Sequence, residues 1–418
     1  KPDNVKMMRE FLIRGLYCEM LGQPVPFVYI HALNMTQSPR LMDKRVGYLC
    51  TSMFLNENHE LLLLLLNSVR KDLDSTNILE VSAAMSCMSW LLNKDTVHAI
   101  LPLVIDKTKS PNELVRKKAV ILIHRCLQKD VATTWNDVEN VLRLRLCDAD
   151  PSVMAATLHC FSYVIEIKKK DPITYSFLPS LIDLVPSFVG ILKQLVDKRL
   201  PSSYNYHNVH APWIQITMLR ILRHLGSIDP SCVTHMTEVL KLILTSPADK
   251  MAACAIVNEA IRTICHVTTN QLLLDLSAKN IALFLGATSS DLNYLGLTLL
   301  AKIVSINPVY AADHQAYVIS CLESSDESIR SKTIELLFHM TNVKNLPVIV
   351  EKMLDRLRKT TDVFLRTELV NKITILSEKF STDNFWFIST MNEVFLVAGD
   401  HVPLEVAHKF LRYISEGA

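Results

Sequence analysis

The sequence predicts an all-α chain of stacked helical hairpins, and three observations carry the prediction. Glycine is scarce, 9 residues in 418, where average usage would supply about 29, so tight turns and glycine-rich loops are rare. Hydrophobic residues make up 49% of the chain but aromatics only 7%, a balance that favours helix-on-helix packing over aromatic-rich sandwiches. The third observation is a recurring helix start: Asp, Pro or Ser, a branched apolar residue about three positions on, often a basic residue, then small and apolar residues along one face.

That start recurs as Asp43-Lys44-Arg45-Val46, Pro111-Asn112-Glu113-Leu114-Val115-Arg116, Asp150-Pro151-Ser152-Val153, Pro212-Trp213-Ile214, Asp291-Leu292-Asn293-Tyr294, Asp326-Glu327-Ser328-Ile329-Arg330 and Asp362-Val363-Phe364-Leu365-Arg366. Several successive copies lie about 35–42 residues apart, the period of a two-helix repeat of the HEAT or armadillo type. The expected fold is therefore all-α, an α-solenoid of HEAT/armadillo-like helical-hairpin repeats wound into a curved superhelix. A side-chain oxygen at each start satisfies free N–H groups of the first turn, proline is tolerated there, and an acidic group complements the helix dipole.

Short Asp/Ser/Pro/Asn turns join roughly twenty expected helices into one continuous trunk over residues 1–418, and no segment has strand periodicity. The stretch Leu200 to Pro212 interrupts the period and reads as a polar loop with a possible change of superhelix curvature. It does not read as a domain boundary.

Charge is balanced, 44 basic against 42 acidic residues, so no global field attracts nucleic acid. Ten cysteines are spread singly, without C-x-x-C pairs, and read as small buried hydrophobes of a reducing compartment. The longest leucine block, Leu61–Leu66, is far below the ~20 apolar residues a membrane span needs.

Catalytic and metal signatures are sparse. His59-Glu60 begins like a metalloprotease helix, but Leu63 stands at the second ligand position. No P-loop, dinucleotide or nucleophile-elbow motif occurs. His207 and His210 with Tyr204 and Tyr206 cluster in the irregular stretch, read as a solvated loop because no Cys or carboxylate accompanies them. No enzyme, cofactor or metal is expected.

The basic groups read as structural. Lys168 to Lys170 end an apolar helix and offset its dipole, with an anionic lipid or acidic patch as the lesser alternative. Arg116-Lys117-Lys118 and Arg143 with Arg145 are expected on a solvated face. Leu61–Leu66, apolar all round, reads as a buried inner helix, with partner contact on one side as the alternative.

Several blocks go further. Leu21-Gly22-Gln23-Pro24-Val25-Pro26-Phe27, Asp43-Lys44-Arg45-Val46-Gly47-Tyr48-Leu49, Val69-Arg70-Lys71-Asp72-Leu73, Leu114 to Ala119 and Trp213 to Gly226 resemble, in order and spacing, the amino-terminal trunk of the large adaptin subunits of vesicle-coat adaptor complexes. Within that family they are similar to the alpha, gamma, delta and epsilon group, not the beta group. The resemblance implies a non-enzymatic, peripheral membrane scaffold of a heterotetramer with sigma, mu and beta subunits. It implies cargo tails met through mu or sigma, and recruitment by a GTP-bound Arf-family GTPase to the cytosolic face of the trans-Golgi network. Carried across on these blocks, the GTPase-docking positions fall on Ile30, Leu33 and Leu64, with Lys44 and Arg45 as a supporting basic rim and Asp43 as a helix cap. The family's first helices, later trunk, hinge and ear fall outside this sequence. The competing expectation is a HEAT-repeat scaffold of another kind, a nuclear transport receptor or a phosphatase scaffold.

Overall fold

The computed structural model describes residues 2–168, 181–246, 251–267, 270–381, 383–402 and 404–416. These hold 21 α-helices. The chain divides into two compact units, Lys1–Leu184 with Trp213–His224, and Val185–Pro212 with Leu225–Ala418.

In the first unit the helices are α1 (Pro2–Met20), α2 (Tyr29–Thr36), α3 (Leu41–Phe54), α4 (Leu62–Leu73), α5 (Ile78–Leu91), α6 (Lys94–Lys107), α7 (Glu113–Lys129), α8 (Val131–Leu146) and α9 (Pro151–Lys168). Each hairpin pairs an even helix with the odd one that follows. Successive odd helices, α1, α3, α5, α7 and α9, pack on one another, and α2, α4, α6 and α8 form a second row. This is the two-layer order of a HEAT-type solenoid.

After α10 (Val185–Val196) and α11 (Pro212–Ile228) come α12 (Val233–Thr245), α13 (Met251–Val267), α14 (Gln271–Leu285), α15 (Ser290–Ile306), α16 (Gln315–Ser320), α17 (Glu327–Met340), α18 (Leu346–Lys359), α19 (Val363–Phe380), α20 (Asn384–Ala398) and α21 (Leu404–Glu416). The same alternation holds in the second unit: α13, α15, α17 and α19 succeed one another in one layer, and α10, α12 and α14 in the other.

The sequence pattern has two physical causes here. Asn112, Asp150, Asp326 and Asp362 accept from backbone N–H groups two residues on, at 2.9, 2.8, 2.9 and 3.2 Å. Asn93 at the start of α6 forms a reciprocal capping box with Thr96. The basic residue that follows has a separate task. Arg116 Nη1 folds back to the carbonyls of Ser110 and Pro111 at 3.0 and 2.9 Å, Arg330 Nη1 to Ser324 and Ser325 at 2.8 and 2.9 Å, and Arg366 Nη1 to Thr360 at 3.0 Å. In these three repeats an arginine thus ties the inter-helix turn to the helix it introduces. Asp362→Ala is expected to lower stability by about 1 kcal/mol, the usual worth of an N-cap, read as a shift of the urea midpoint at constant m.

Several expectations need correction. Arg116 is not on a solvated face: its Nε and Nη2 grip Asp148 at 2.9 and 2.8 Å, and Arg145 adds a third bond at 2.9 Å. Burial opposes the Asp148 carboxylate, yet Arg116, the Asp150 N–H and Arg145 together hold its pKa below the usual range. Arg143 pairs with Glu139 one turn back. Leu200–Pro212 is not without strands. Asn205–Tyr206 and Val209–His210 form a two-stranded antiparallel hairpin, turned by His207 and Asn208, both with positive φ, 48° and 66°, as a two-residue primed turn requires. The run of polar residues from Ser202 to Asn208 conceals so short a ladder from any period-2 test.

The lysines at 169 and 170 lie outside the described residues. Seven of the ten cysteines are buried and Cys147 is exposed. No helix is long and apolar enough to cross a membrane among the described residues.

Candidate functional site: a docking layer on the early helices

Helices α2 and α4 are neighbours in one layer, joined where Gln37 Nε2 donates to Ser68 Oγ at 3.3 Å. Ile30 lies two turns before Gln37 and Leu64 one turn before Ser68, on helices that each rise about 1.5 Å per residue. Ile30 is 40% exposed and Leu64 50% exposed. Leu33 is only 2% exposed, because α2 turns Ala32, Leu33, Met35 and Thr36 inward together. The structure therefore brings two of the three expected docking residues to the surface and buries the third.

The leucine block resolves in the same way. Leu62, Leu65, Val69 and Leu73 form the buried i, i+3, i+4 spine of α4, while Leu63, 70% exposed, joins Leu64 outside. Neither full burial nor full presentation describes it. Phe27, 74% exposed, stands just ahead of α2. Its signal in the sequence is an aromatic held between Pro26 and the helix start.

Both helix starts are anchored. Glu19 accepts from the Val25 N–H at 3.0 Å and the Tyr29 hydroxyl at 3.1 Å, and Tyr29 stacks on Phe54 with centroids 5.2 Å apart. Before α4, the Glu57 carbonyl accepts from Asn93 Nδ2 at 2.7 Å, and the Glu57 carboxylate pairs with Lys129.

Beneath the layer, the expected basic rim proves to be half interior. Arg45 is exposed, but Lys44 is buried, with Nζ 2.5 Å from Asp72 Oδ1 and 3.1 Å from Glu80 Oε2. Tyr48, one turn on from Lys44, donates to Asp72 Oδ2 at 2.7 Å. Ser75 donates to Glu80 at 2.9 Å. Lys44 is thus the pin joining α3, α4 and α5.

Burial works to lower the Lys44 pKa, but the bonds to Asp72 and Glu80 and their charges more than offset it, so it is raised. Burial likewise opposes the Glu80 carboxylate, yet Ser75 and Lys44 hold it below its ordinary value. Burial and then Asp72 push the Tyr48 phenol upward. The sequence signal for this network is the i, i+4 spacing of Lys44 and Tyr48; its acidic partners lie 28 and 36 residues away.

Asp43 is not the cap of α3, whose N-cap is Arg40. It sits buried in the first turn, receiving Arg9 Nη1 at 3.1 Å and the Ser38 hydroxyl at 3.4 Å. Gly47 is set by the close approach of α2 and α3: a Cβ there would lie 2.6 Å from the Thr36 nitrogen and 2.7 Å from the Met35 carbonyl carbon. Since backbone atoms are the obstacle, Gly47→Ala is expected to destabilise by about 1–3 kcal/mol, the usual range for overpacking, measured by chemical unfolding.

No group of three or more metal-ligating side chains occurs among the described residues. The architecture is that of a helical-repeat scaffold with an apolar surface held on a buried polar pin. The chain belongs to the adaptin N-terminal region family, which matches residues 1–417, and that family consists of adaptor coat subunits, structural in kind.

Among individual relatives it is 41% identical over 419 residues to the AP-4 complex subunit epsilon of Arabidopsis thaliana, covering 100% of this chain and 44% of the relative. It is 41% identical over 417 residues to the AP-4 complex subunit epsilon-1 of Homo sapiens, covering 99% and 36%. The AP-1 complex subunit gamma of Dictyostelium discoideum is 27% identical, with coverage of 99% and 46%. Similarity is therefore higher to epsilon subunits than to this gamma subunit, and the chain spans less than half the length of these curated relatives. In fold, it matches a chain in a homology model of the full-length AP-3 complex, in an intermediate open conformation, with a TM-score of 0.64 at 21% identity, covering 98% of this chain and 72% of that one. Importin beta matches with a TM-score of 0.54 at 12% identity, covering 88% and 48%. These two likenesses show the HEAT-type solenoid alone.

Proposed function

We propose that the chain is the continuous trunk of the large subunit of a heterotetrameric adaptor coat complex, a non-enzymatic scaffold in vesicle-mediated protein sorting. Its partners are the sigma, mu and beta subunits. Cargo tails are met indirectly, through mu or sigma, and a GTP-bound Arf-family GTPase recruits the complex to the cytosolic face of the trans-Golgi network. One observation carries the docking part: Ile30 and Leu64 are exposed on adjacent helices of one layer, while the residues under them are packed. Two exposed aliphatics flanked by Leu63 and Phe27 suit the small apolar core of a reversible interface, in which a few central residues dominate the affinity. Leu33 supports that surface from below, and Arg45 is the one charge of the expected rim free to meet a partner's acidic edge.

The scaffold reading is tested by affinity purification of the tagged full chain, with the co-purifying proteins identified by mass spectrometry. Small sigma-like, mu-like and beta-like chains are the expected companions. A nuclear-transport GTPase or a phosphatase catalytic subunit in their place would overturn the proposal in favour of another HEAT scaffold.

A further inference from the structure

In the second unit, a cavity of about 590 Å³ opens between α16, with the turn after it, and the C-terminal half of α18. Lys352, Arg356 and Lys359 line one wall, spaced i, i+4 and i+7 and so on one face of the helix. Arg356 is half-buried, and its Nε is enclosed without a hydrogen-bond partner. Among the described residues, none of these three cations forms an ion pair.

Asp355, on the same wall, is already held by Arg358 Nη1 at 2.8 Å, and Arg358 Nη2 also holds Glu393 at 3.0 Å. Glu323, on the opposite wall, is exposed and pairs with none of the three. Burial, followed by the like charge of Arg330, lowers the Arg356 pKa, and the Glu327 charge offsets only part of that. Cations in a last helical turn commonly offset the helix dipole. That accounts for exposed Lys359 and Arg358; the half-buried Arg356 lines the cavity with neither a hydrogen-bond nor an ion-pair partner for its guanidinium among the described residues, whereas partly buried charges are ordinarily compensated.

We propose that this cavity binds a small phosphate-bearing anion, gripped by the planar fork of Arg356 and flanked by Lys352 and Lys359. Three converging cations match a multiply charged oxyanion better than a single carboxylate, and guanidinium pairs with phosphate oxygens two at a time. The site is independent of the docking layer on α2 and α4.

The test is calorimetric titration of the full chain with inorganic pyrophosphate in chloride buffer of matched ionic strength. Saturable one-site binding is expected, weakened about tenfold or more by Arg356→Gln, the loss expected when charge-assisted paired bonds are removed. Arg358→Gln, whose partners are Asp355 and Glu393, is expected to leave the affinity unchanged. In chloride alone, Arg356→Gln is expected to unfold no earlier than the parent, since the arginine has no partner to lose. Vesicle flotation with phosphatidic acid distinguishes the sources: flotation that depends on Arg356 assigns the phosphate to a lipid headgroup, and Arg356-dependent pyrophosphate binding without it assigns a soluble molecule. Absence of saturable binding, equal affinity in Arg356→Gln, or equal loss in Arg358→Gln would overturn the proposal.

Discussion

A full chain carrying Ile30→Glu together with Leu64→Glu is expected to lose GTP-dependent binding to an Arf-family GTPase and, with it, membrane recruitment. Both side chains are substantially exposed, so the charges are solvated in the free protein and the helical circular-dichroism signal stays intact. In the complex the same carboxylates would enter an aliphatic contact unpaired, at a penalty of several kcal/mol. A loss of about 3 kcal/mol is more than a hundredfold in affinity. Leu33→Glu is a different experiment, because a carboxylate at a 2% exposed position unfolds its surroundings and reports packing. Binding assays against the GTP- and GDP-loaded GTPase, with recruitment scored in cells, separate the two. Normal GTP-dependent binding by a folded double variant would remove the docking assignment and leave the trunk reading standing.

Asp72→Ala is expected to be the most destabilising single change in the first unit, on the order of 3–5 kcal/mol, as for breaking a buried ion pair from one side. It strands the Lys44 ammonium against Glu80 alone and leaves the Tyr48 hydroxyl without its acceptor. Lys44→Met with Asp72→Leu should cost less than Asp72→Ala, since removing both charges avoids the stranded one. Urea unfolding of the three proteins checks the order, and a double variant as unstable as Asp72→Ala would contradict it.

The network also sets a pH dependence. Glu80 has a depressed pKa, so its contribution is present above about 4.3, the ordinary glutamate value, and is lost as pH falls through the lower folded-state value. The raised Lys44 pKa contributes below about 10.4 and fades only as pH rises through its folded-state value. The pin is therefore at full strength across the neutral range. Acid unfolding is expected to begin earlier in Ser75→Ala, which removes one of the bonds holding Glu80 ionised.

The local devices of the fold were legible because they are short-range. Caps at Asn112, Asp150, Asp326 and Asp362, and the arginine four residues after Asn112, Asp326 and Asp362, repeat at a readable spacing. Asp43 and Asp291 share that spacing but lie inside the first turn, behind Arg40 and Ser289, since composition does not say which of several polar residues has extended backbone angles. The hairpin at 205–210 leaves no sequence signal because two residues per strand give periodicity nothing to act on.

The candidate site divides along the same line. Leu61–Leu66 reads as apolar, but only the packing of α4 against α5 and α6 decides that Leu62 and Leu65 face inward and Leu63 and Leu64 outward. Lys44 and Arg45 are adjacent and chemically alike, yet one is interior and the other solvated, because successive helix positions point about 100° apart. The sequence by itself determined the all-α class, the two-helix period, the helix starts and the adaptin resemblance, all of which rest on residues within one or two turns of each other or on ordered blocks. The tertiary structure alone decided that Asp72 and Glu80 meet Lys44, that Leu33 is covered, and that Arg356 lines a cavity whose carboxylates, Asp355 and Glu323, do not pair with it. Those are contacts between residues 28 or more positions apart, or faces turned by neighbouring helices, and no local pattern encodes them.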